Sequence, residues 1–172
     1  MCFSYYLSWR LVIHGGVVAA ETFIIKFRYV IFVGAVEVGI EVITGEPCGE
    51  GLTWQLDTAT GELVISGEGA RAHYSISPAA PWDAHRSLIT SVRLEEGVTA
   101  VGNYAFMYCD KIVSLSLPDT LVSVGIFSFW NCAALEEVTV LGNPVIKGTP
   151  FENCPVLRSF TLTQPRENQS LD

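Results

Sequence analysis

Between residues 88 and 163 the apolar positions return every 22 to 23 residues. Ile89, Ile112, Leu135 and Leu157 form one column, and Val92, Leu115, Val138 and Phe160 a second. Leu94, Leu117, Val140 and Leu162 form a third. Phe106, Phe129 and Phe151 keep the register, as do Cys109, Cys132 and Cys154, at steps of 23 and 22. A period in the twenties marks a solenoid, in which each repeat is one coil and stacked coils share a core. Inside each repeat a short segment alternates: Ser91-Val92-Arg93-Leu94, Ser114-Leu115-Ser116-Leu117, Glu137-Val138-Thr139-Val140 and Ser159-Phe160-Thr161-Leu162. Side chains alternate across a strand, so the apolar members face inward and the others outward. Stacked coils then form a parallel ladder with strands about 4.8 Å apart. Gly97, Gly102 and Gly125, with Pro118-Asp119, supply corners, and Tyr104-Ala105-Phe106 and Phe127-Ser128-Phe129 return the chain as short helical turns. Thr149-Pro150-Phe151 puts proline at this place in the third repeat, which is one residue shorter, so a distorted turn is expected there.

Upstream, Leu52-Thr53-Trp54-Gln55-Leu56 and Glu62-Leu63-Val64-Ile65-Ser66 flank the turn formers Asp57-Thr58-Ala59-Thr60-Gly61. This is the pattern of a β-hairpin. Pro78-Ala79-Ala80-Pro81-Trp82 begins a rigid connection, with Trp82 as a plug over the first coil, because a terminal coil otherwise exposes its lumen. The boundaries that follow are an atypical hydrophobic segment 1–43, a hairpin cap and connector 44–87, repeats 88–163 and a polar tail 164–172.

The first 43 residues hold 29 apolar and six charged side chains. Met1–Arg10, Leu11–Ala20 and the small residues before Glu21 resemble a signal peptide, but His14, Gly15 and Gly16 break the apolar run. Phe23–Ile43 has the length of a membrane span, yet Lys26, Arg28, Glu37 and Glu41 interrupt it. Each would cost about 2.5–3.5 kcal/mol at mid-bilayer. Val36 to Val42 alternates with period two, as a half-buried strand does. A signal, extra strands and a misassigned start are the three readings of this segment.

Charge narrows the function. Lys and Arg number 10 against 18 Asp and Glu, and the net charge of −8 lies wholly in residues 44–172. An acidic repeat module with dispersed cations argues against nucleic acid and against docking on anionic lipid.

Candidate chemistry is sparse. Zinc sites use cysteine pairs two to four residues apart, and the column of Cys109, Cys132 and Cys154 has none. Free cysteine packs as a small hydrophobe, so buried thiols are expected; a disulfide between neighbouring coils is the alternative. The chain has five cysteines, which cannot all pair. His14, His73 and His85 are scattered, and neither a nucleophile elbow nor a phosphate loop is present. His73-Tyr74 and Trp82-Asp83-Ala84-His85 form either a polar cluster by the cap or an exposed connector. Asn168-Gln169-Ser170 is a glycosylation sequon in a polar tail. No metal or cofactor is called for.

Cys48-Gly49-Glu50-Gly51-Leu52-Thr53-Trp54-Gln55-Leu56, followed by Gly61 to Gly69, resembles the opening of BspA-like leucine-rich repeat proteins. Ala80-Pro81-Trp82 and the run from Val98 to Cys109 look like that family's first repeat. The resemblance covers about residues 47–163, with cap, connector and repeats in the family's order. It implies a bacterial or parasitic-protist protein, secreted or on the cell surface, that works by adhesion or protein–protein contact and is not an enzyme. The first 43 residues depart from the family's usual secretion signal. The chain also stops after about three and a half coils with no obvious C-terminal cap, so a fragment of a longer protein is one reading.

The expected architecture is a β-rich solenoid: a right-handed leucine-rich-repeat coil with a parallel β-ladder and short helical turns, capped by a β-hairpin. The expected binding face is the outward side of the ladder, with Arg93, Glu95, Ser114, Ser116, Glu137, Thr139 and Thr161 as candidate contacts. The expected partner is a protein or a host or cell-surface ligand, with no nucleic acid and no small-molecule cofactor. A structural spacer, or repeats that position the catalytic domain of a larger hydrolase, are the alternatives.

Overall fold

Alternation at period two makes strands, and the apolar columns decide how they stack. The computed structural model describes residues 25–33, 36–70, 73–74 and 79–163. Its strands are β1 (Ile25–Val33), β2 (Val36–Thr44), β3 (Leu52–Asp57), β4 (Glu62–Gly67), β5 (Gly69–Ala70) and β6 (Ser91–Leu94). They continue with β7 (Val98–Val101), β8 (Ser114–Leu117), β9 (Ser123–Val124), β10 (Glu137–Leu141), β11 (Val145–Ile146) and β12 (Ser159–Thr163). One 3-10 helix, Asp83–Leu88, lies in the connector. An eight-stranded sheet runs β1-β2-β3-β4-β6-β8-β10-β12, and a four-stranded sheet runs β11-β9-β7-β5.

The larger sheet changes character at β4. β1 to β4 pair antiparallel, whereas β4, β6, β8, β10 and β12 pair parallel. The ladder is the one read from the repeats, with Val138 opposite Leu115 and Phe160 and with Val140 opposite Leu117 and Leu162. Val92, Leu94, Leu115, Leu117, Val138 and Val140 are all buried.

The hairpin Leu52–Gly67 is present, but it is not the last element on its side. β2 pairs with β3 through Val42 opposite Asp57, Ile43 opposite Leu56 and Thr44 opposite Gln55. Ile43 is buried among the hairpin and repeat side chains. The apolar run Phe23–Ile43 is thus a strand pair over most of its length. Among the described residues no helix is long and apolar enough to cross a membrane. The signal-like pattern of residues 1–20 lies outside the described residues, as does the tail after Thr163.

Trp82 is buried where hairpin and repeats meet. It meets Trp54 and Tyr74 edge-on, each at 5.9 Å between centroids, and stacks on Phe106 at 5.4 Å. Its indole N–H donates to the Ala105 carbonyl at 2.8 Å. Phe106, Phe129 and Phe151 continue the stack at 5.0 and 5.4 Å with rings within 13° of parallel. Such pairs add about 0.5–1.5 kcal/mol each beyond the area they bury.

The return segments after β7 and β9 are hydrogen-bonded turns rather than helices. Tyr104 (φ 55°), Phe127 (φ 52°) and Gly148 (φ 59°) bend left-handed early in successive turns, and Tyr108, Asn131 and Asn153 do so at their ends. A left-handed residue interrupts a helix, which accounts for the difference from the expected helical turns. In the shorter third turn Gly148 takes the bend at little steric cost. The Pro150 carbonyl then accepts from Phe129 N–H, as Ser128 accepts from Phe106 N–H, so the register survives the proline.

Candidate functional site

The outward face of the parallel ladder is a regular surface that the repeat pattern builds across β4, β6, β8, β10 and β12. Its central row runs Gln55, Val64, Arg93, Ser116, Thr139, Thr161, each opposite the next across the strands. A flanking row holds Ser114, Glu137 and Ser159. Arg93, Ser114, Ser116, Glu137 and Thr161 are exposed, and Glu95 and Thr139 are half-buried. Six of the seven candidates lie on ladder strands. Glu95 sits just beyond the end of β6 and reaches the face through Arg93.

Electrostatics modify the expected role of Arg93. Its Nε lies 3.2 Å from Glu62 Oε1 and its Nη1 lies 2.8 Å from Glu95 Oε1. The hydrogen bond that the guanidinium donates to Glu95, then that to Glu62, raises its pKa above the ordinary value. Arg93 is thus held flat across two carboxylates instead of projecting as a free cation. Each pair is solvent-exposed and contributes about 0–1 kcal/mol. With Glu137 two coils further on, carboxylates outnumber the guanidinium and the face is mildly negative.

Gln55, Val64 and Glu62 belong to this surface, and sequence reasoning missed them. The hairpin had been assigned to a cap, so its outward residues were not counted with the ladder. The signal was available: Val64 follows Glu62 with the same period-two spacing as Arg93 follows Ser91.

A second surface lies on the turns. Tyr104 and Phe127 pack at 5.6 Å, Phe127 and Trp130 at 6.1 Å, and Trp130 and Tyr108 edge-on at 5.0 Å. The Arg86 guanidinium lies 5.4 Å from the Tyr108 ring centre. Tyr108 occupies the left-handed place that the next two coils give to Asn131 and Asn153. Asn tolerates that conformation; a bulky aromatic there is an outlier. The mismatch in the column was readable in the sequence, but its backbone consequence was not.

The remaining candidates disperse. Among the described residues no group of three or more His, Cys, Asp or Glu is placed to hold a metal ion. His73 is exposed and accepts from Asn103 N–H, Tyr74 donates to the Cys48 carbonyl, and Asp83 pairs with Arg86. Their polar atoms therefore reach different partners, while the Tyr74 and Trp82 rings meet. Cys48, Cys109 and Cys132 are buried, while Cys154 is only half-buried, against the expectation for the whole column. Its outer neighbour, the coil containing Phe160, is the last described one and leaves it partly uncovered.

Comparison with known proteins agrees with this geometry. A family model described as BspA type leucine rich repeat region (6 copies) matches residues 84–170. The crystal structure of a leucine-rich repeat protein from Eubacterium ventriosum is similar with a TM-score of 0.52 and 21% sequence identity. The likeness is one of fold, and it covers 69% of this chain and 40% of that one. The chain thus spans less than half the length of that protein. No curated protein matches the chain.

Proposed function

The chain belongs to the BspA-type leucine-rich repeat family, and on that premise we propose that it is a non-catalytic protein-binding module of a secreted or cell-surface protein. Its contact surface is the outward ladder face. The observation that carries this reading is the unbroken row Gln55–Val64–Arg93–Ser116–Thr139–Thr161, a flat and regular surface of mostly small and polar side chains. Backbone hydrogen bonds of the ladder satisfy its strands internally, so side chains alone remain to read a partner. With Glu62 and Glu95 on Arg93 and Glu137 two coils further on, the face favours a partner that presents basic side chains. Photo-cross-linking tests it. A benzophenone amino acid at Ser116 or Thr139 should capture a protein from cell-surface extracts, with competition by the unlabelled chain. Equal capture from Val122, on the four-stranded sheet side, would remove the ladder face from consideration.

A second reading places the contact on the turn surface of Tyr104, Phe127, Trp130 and Tyr108. Backbone strain held at bulky aromatics favours it, since strained residues concentrate at binding sites. Trp, Tyr and Arg are also the residues that dominate interface energetics. Tyr108→Asn separates the two. It relieves about 1–2 kcal/mol of left-handed strain and loses aromatic and cation–π contacts of similar size. Stability should therefore change by less than about 1 kcal/mol. Binding by the same extract partner should persist if the ladder is the contact and drop if the turns are.

A further inference from the structure

Cys109, Cys132 and Cys154 form one column, but they are not equivalent. Cys109 and Cys132 are sealed, at 1% and 0% exposure, whereas Cys154 is half-buried. Cys132 Sγ donates to the Phe106 carbonyl at 3.4 Å, and Cys154 Sγ donates to the Phe129 carbonyl at 3.3 Å. Each thiol is thus tied to the coil before it, and the 22-residue step between them sets Cys154 beside Cys132 on adjoining coils. The coils that carry them are held in register by β8 and β10, from Ser114 opposite Glu137 to Leu117 opposite Val140. Adjacent strands about 4.8 Å apart fall within the separation a disulfide can bridge.

We propose that Cys154 and Cys132 are a dithiol redox site, in which Cys154 meets a peroxide-class oxidant and Cys132 closes an inter-coil disulfide. Exposure selects Cys154 as the first to react, because solvent reaches no other member of the column. On ionisation of Cys154, the Cys132 S–H turns from the Phe106 carbonyl to the Cys154 sulfur and supports its thiolate. That bond outweighs burial and lowers the Cys154 thiol to about 7, while Cys132 is pushed up by the same bond and by burial. The thiolate is the nucleophilic form, so Cys154 is poised near neutral pH.

In the first step the Cys154 sulfur attacks one peroxide oxygen. An S–O bond forms, the O–O bond breaks, and the departing hydroxide takes a proton to become water. Cys154 is then a sulfenic acid. In the second step the Cys132 sulfur attacks the Cys154 sulfur. The S–S bond forms, the S–O bond breaks, and the Cys132 proton leaves with the hydroxyl as water. Two thiols and one hydrogen peroxide give one disulfide and two waters. The bond would staple the coil of β10, on which the exposed Phe160 and Leu162 of β12 border, to the sealed coil beneath it.

The test uses the full chain. Iodoacetamide on native protein should label Cys154 ahead of Cys48, Cys109 and Cys132, with half-maximal rate near pH 7. Hydrogen peroxide followed by non-reducing peptide mapping should yield a cross-linked peptide pair containing Cys132 and Cys154. In Cys132→Ser, dimedone should trap a sulfenic acid on Cys154. In Cys154→Ser, Cys132 should stay unmodified until denaturant is added. The proposal is overturned if Cys154 is labelled no faster than Cys109, or if peroxide leaves the wild-type chain with Cys132 free. Those two readouts need no variant, so a poorly folding substitution does not blunt the test.

Discussion

The two ends of the coil stack carry the same alternating pattern and meet different fates. In β8 the inward pair Leu115 and Leu117 is 3% and 0% exposed; in β12 the equivalent pair Phe160 and Leu162 is 46% and 57% exposed. On the other side the stack does not end in this way. β3 and β4 continue it, β2 continues the hairpin, and Trp54, Trp82 and Ile43 close the space between them. The lesson is that a repeat pattern sets which way a side chain points, while burial depends on a neighbour above and one below. Stability in a solenoid is therefore a sum over adjacent coils, and an end coil has one term fewer.

The largest test of this contrast compares an inward leucine of a middle strand with an inward leucine of the end strand. Leu115→Ala should lose about 2–5 kcal/mol, as for a leucine buried in a packed core. Leu162→Ala, which holds in β12 the inward place that Leu117 holds in β8, should lose less than about 1 kcal/mol, as at a largely solvated site. Ser116→Ala, outward on the same strand as Leu115, should change stability by less than about 0.5 kcal/mol. Denaturant melts read all three, and a Leu162→Ala loss equal to that of Leu115→Ala would show that the end coil is covered in solution.

A smaller effect is expected from opening the other end. A chain beginning at Thr44 keeps the hairpin and the repeats but lacks Ile43, and it lacks the Glu41 carbonyl that accepts from the Thr58 backbone and hydroxyl. It should still melt cooperatively, at a cost of about 2–3 kcal/mol for the lost burial of one large aliphatic side chain. Failure to fold would make the antiparallel strands part of the minimal core rather than its cover.

The thiols extend the comparison to pH. Burial, and then Asp83, push the Cys109 thiol up to about 12 from its ordinary value near 9. Above pH 9 the unfolded chain loses this proton while the folded chain keeps it. The associated stability is full below pH 9 and is lost as pH rises towards 12. The urea midpoint should fall between pH 9 and 11, and the fall should be shallower in Cys109→Ala. Cys154, lowered to about 7, acts in the opposite sense, adding stability as pH rises from 7 to 9.

Most of the fold was legible because the register of the repeat is a strong signal. The positions of Val92, Leu115 and Val138 were set by period two within a strand and by 22 or 23 residues between coils. The column of Phe106, Phe129 and Phe151 was legible for the same reason, though not that its rings would lie parallel. Less of the candidate site was legible. Ser116, Thr139 and Thr161 were readable as one face, but the clamping of Arg93 between Glu62 and Glu95 was not. Glu62 lies 31 residues away and meets Arg93 only because β4 pairs parallel with β6.

The amino-acid sequence alone determined the family, the ladder, its inward and outward faces and the acidic balance of the module. These follow from side-chain type and spacing, which are local or periodic properties of the chain. Only the tertiary structure decided that β2 joins the hairpin's edge and that Tyr104 and Phe127 hold left-handed backbone. It also decided that Cys154 is open where Cys109 and Cys132 are closed. Identical residues in identical register differed because burial, strain and charge pairing depend on what the neighbouring coil places against them, and a repeat unit carries no record of its own neighbours.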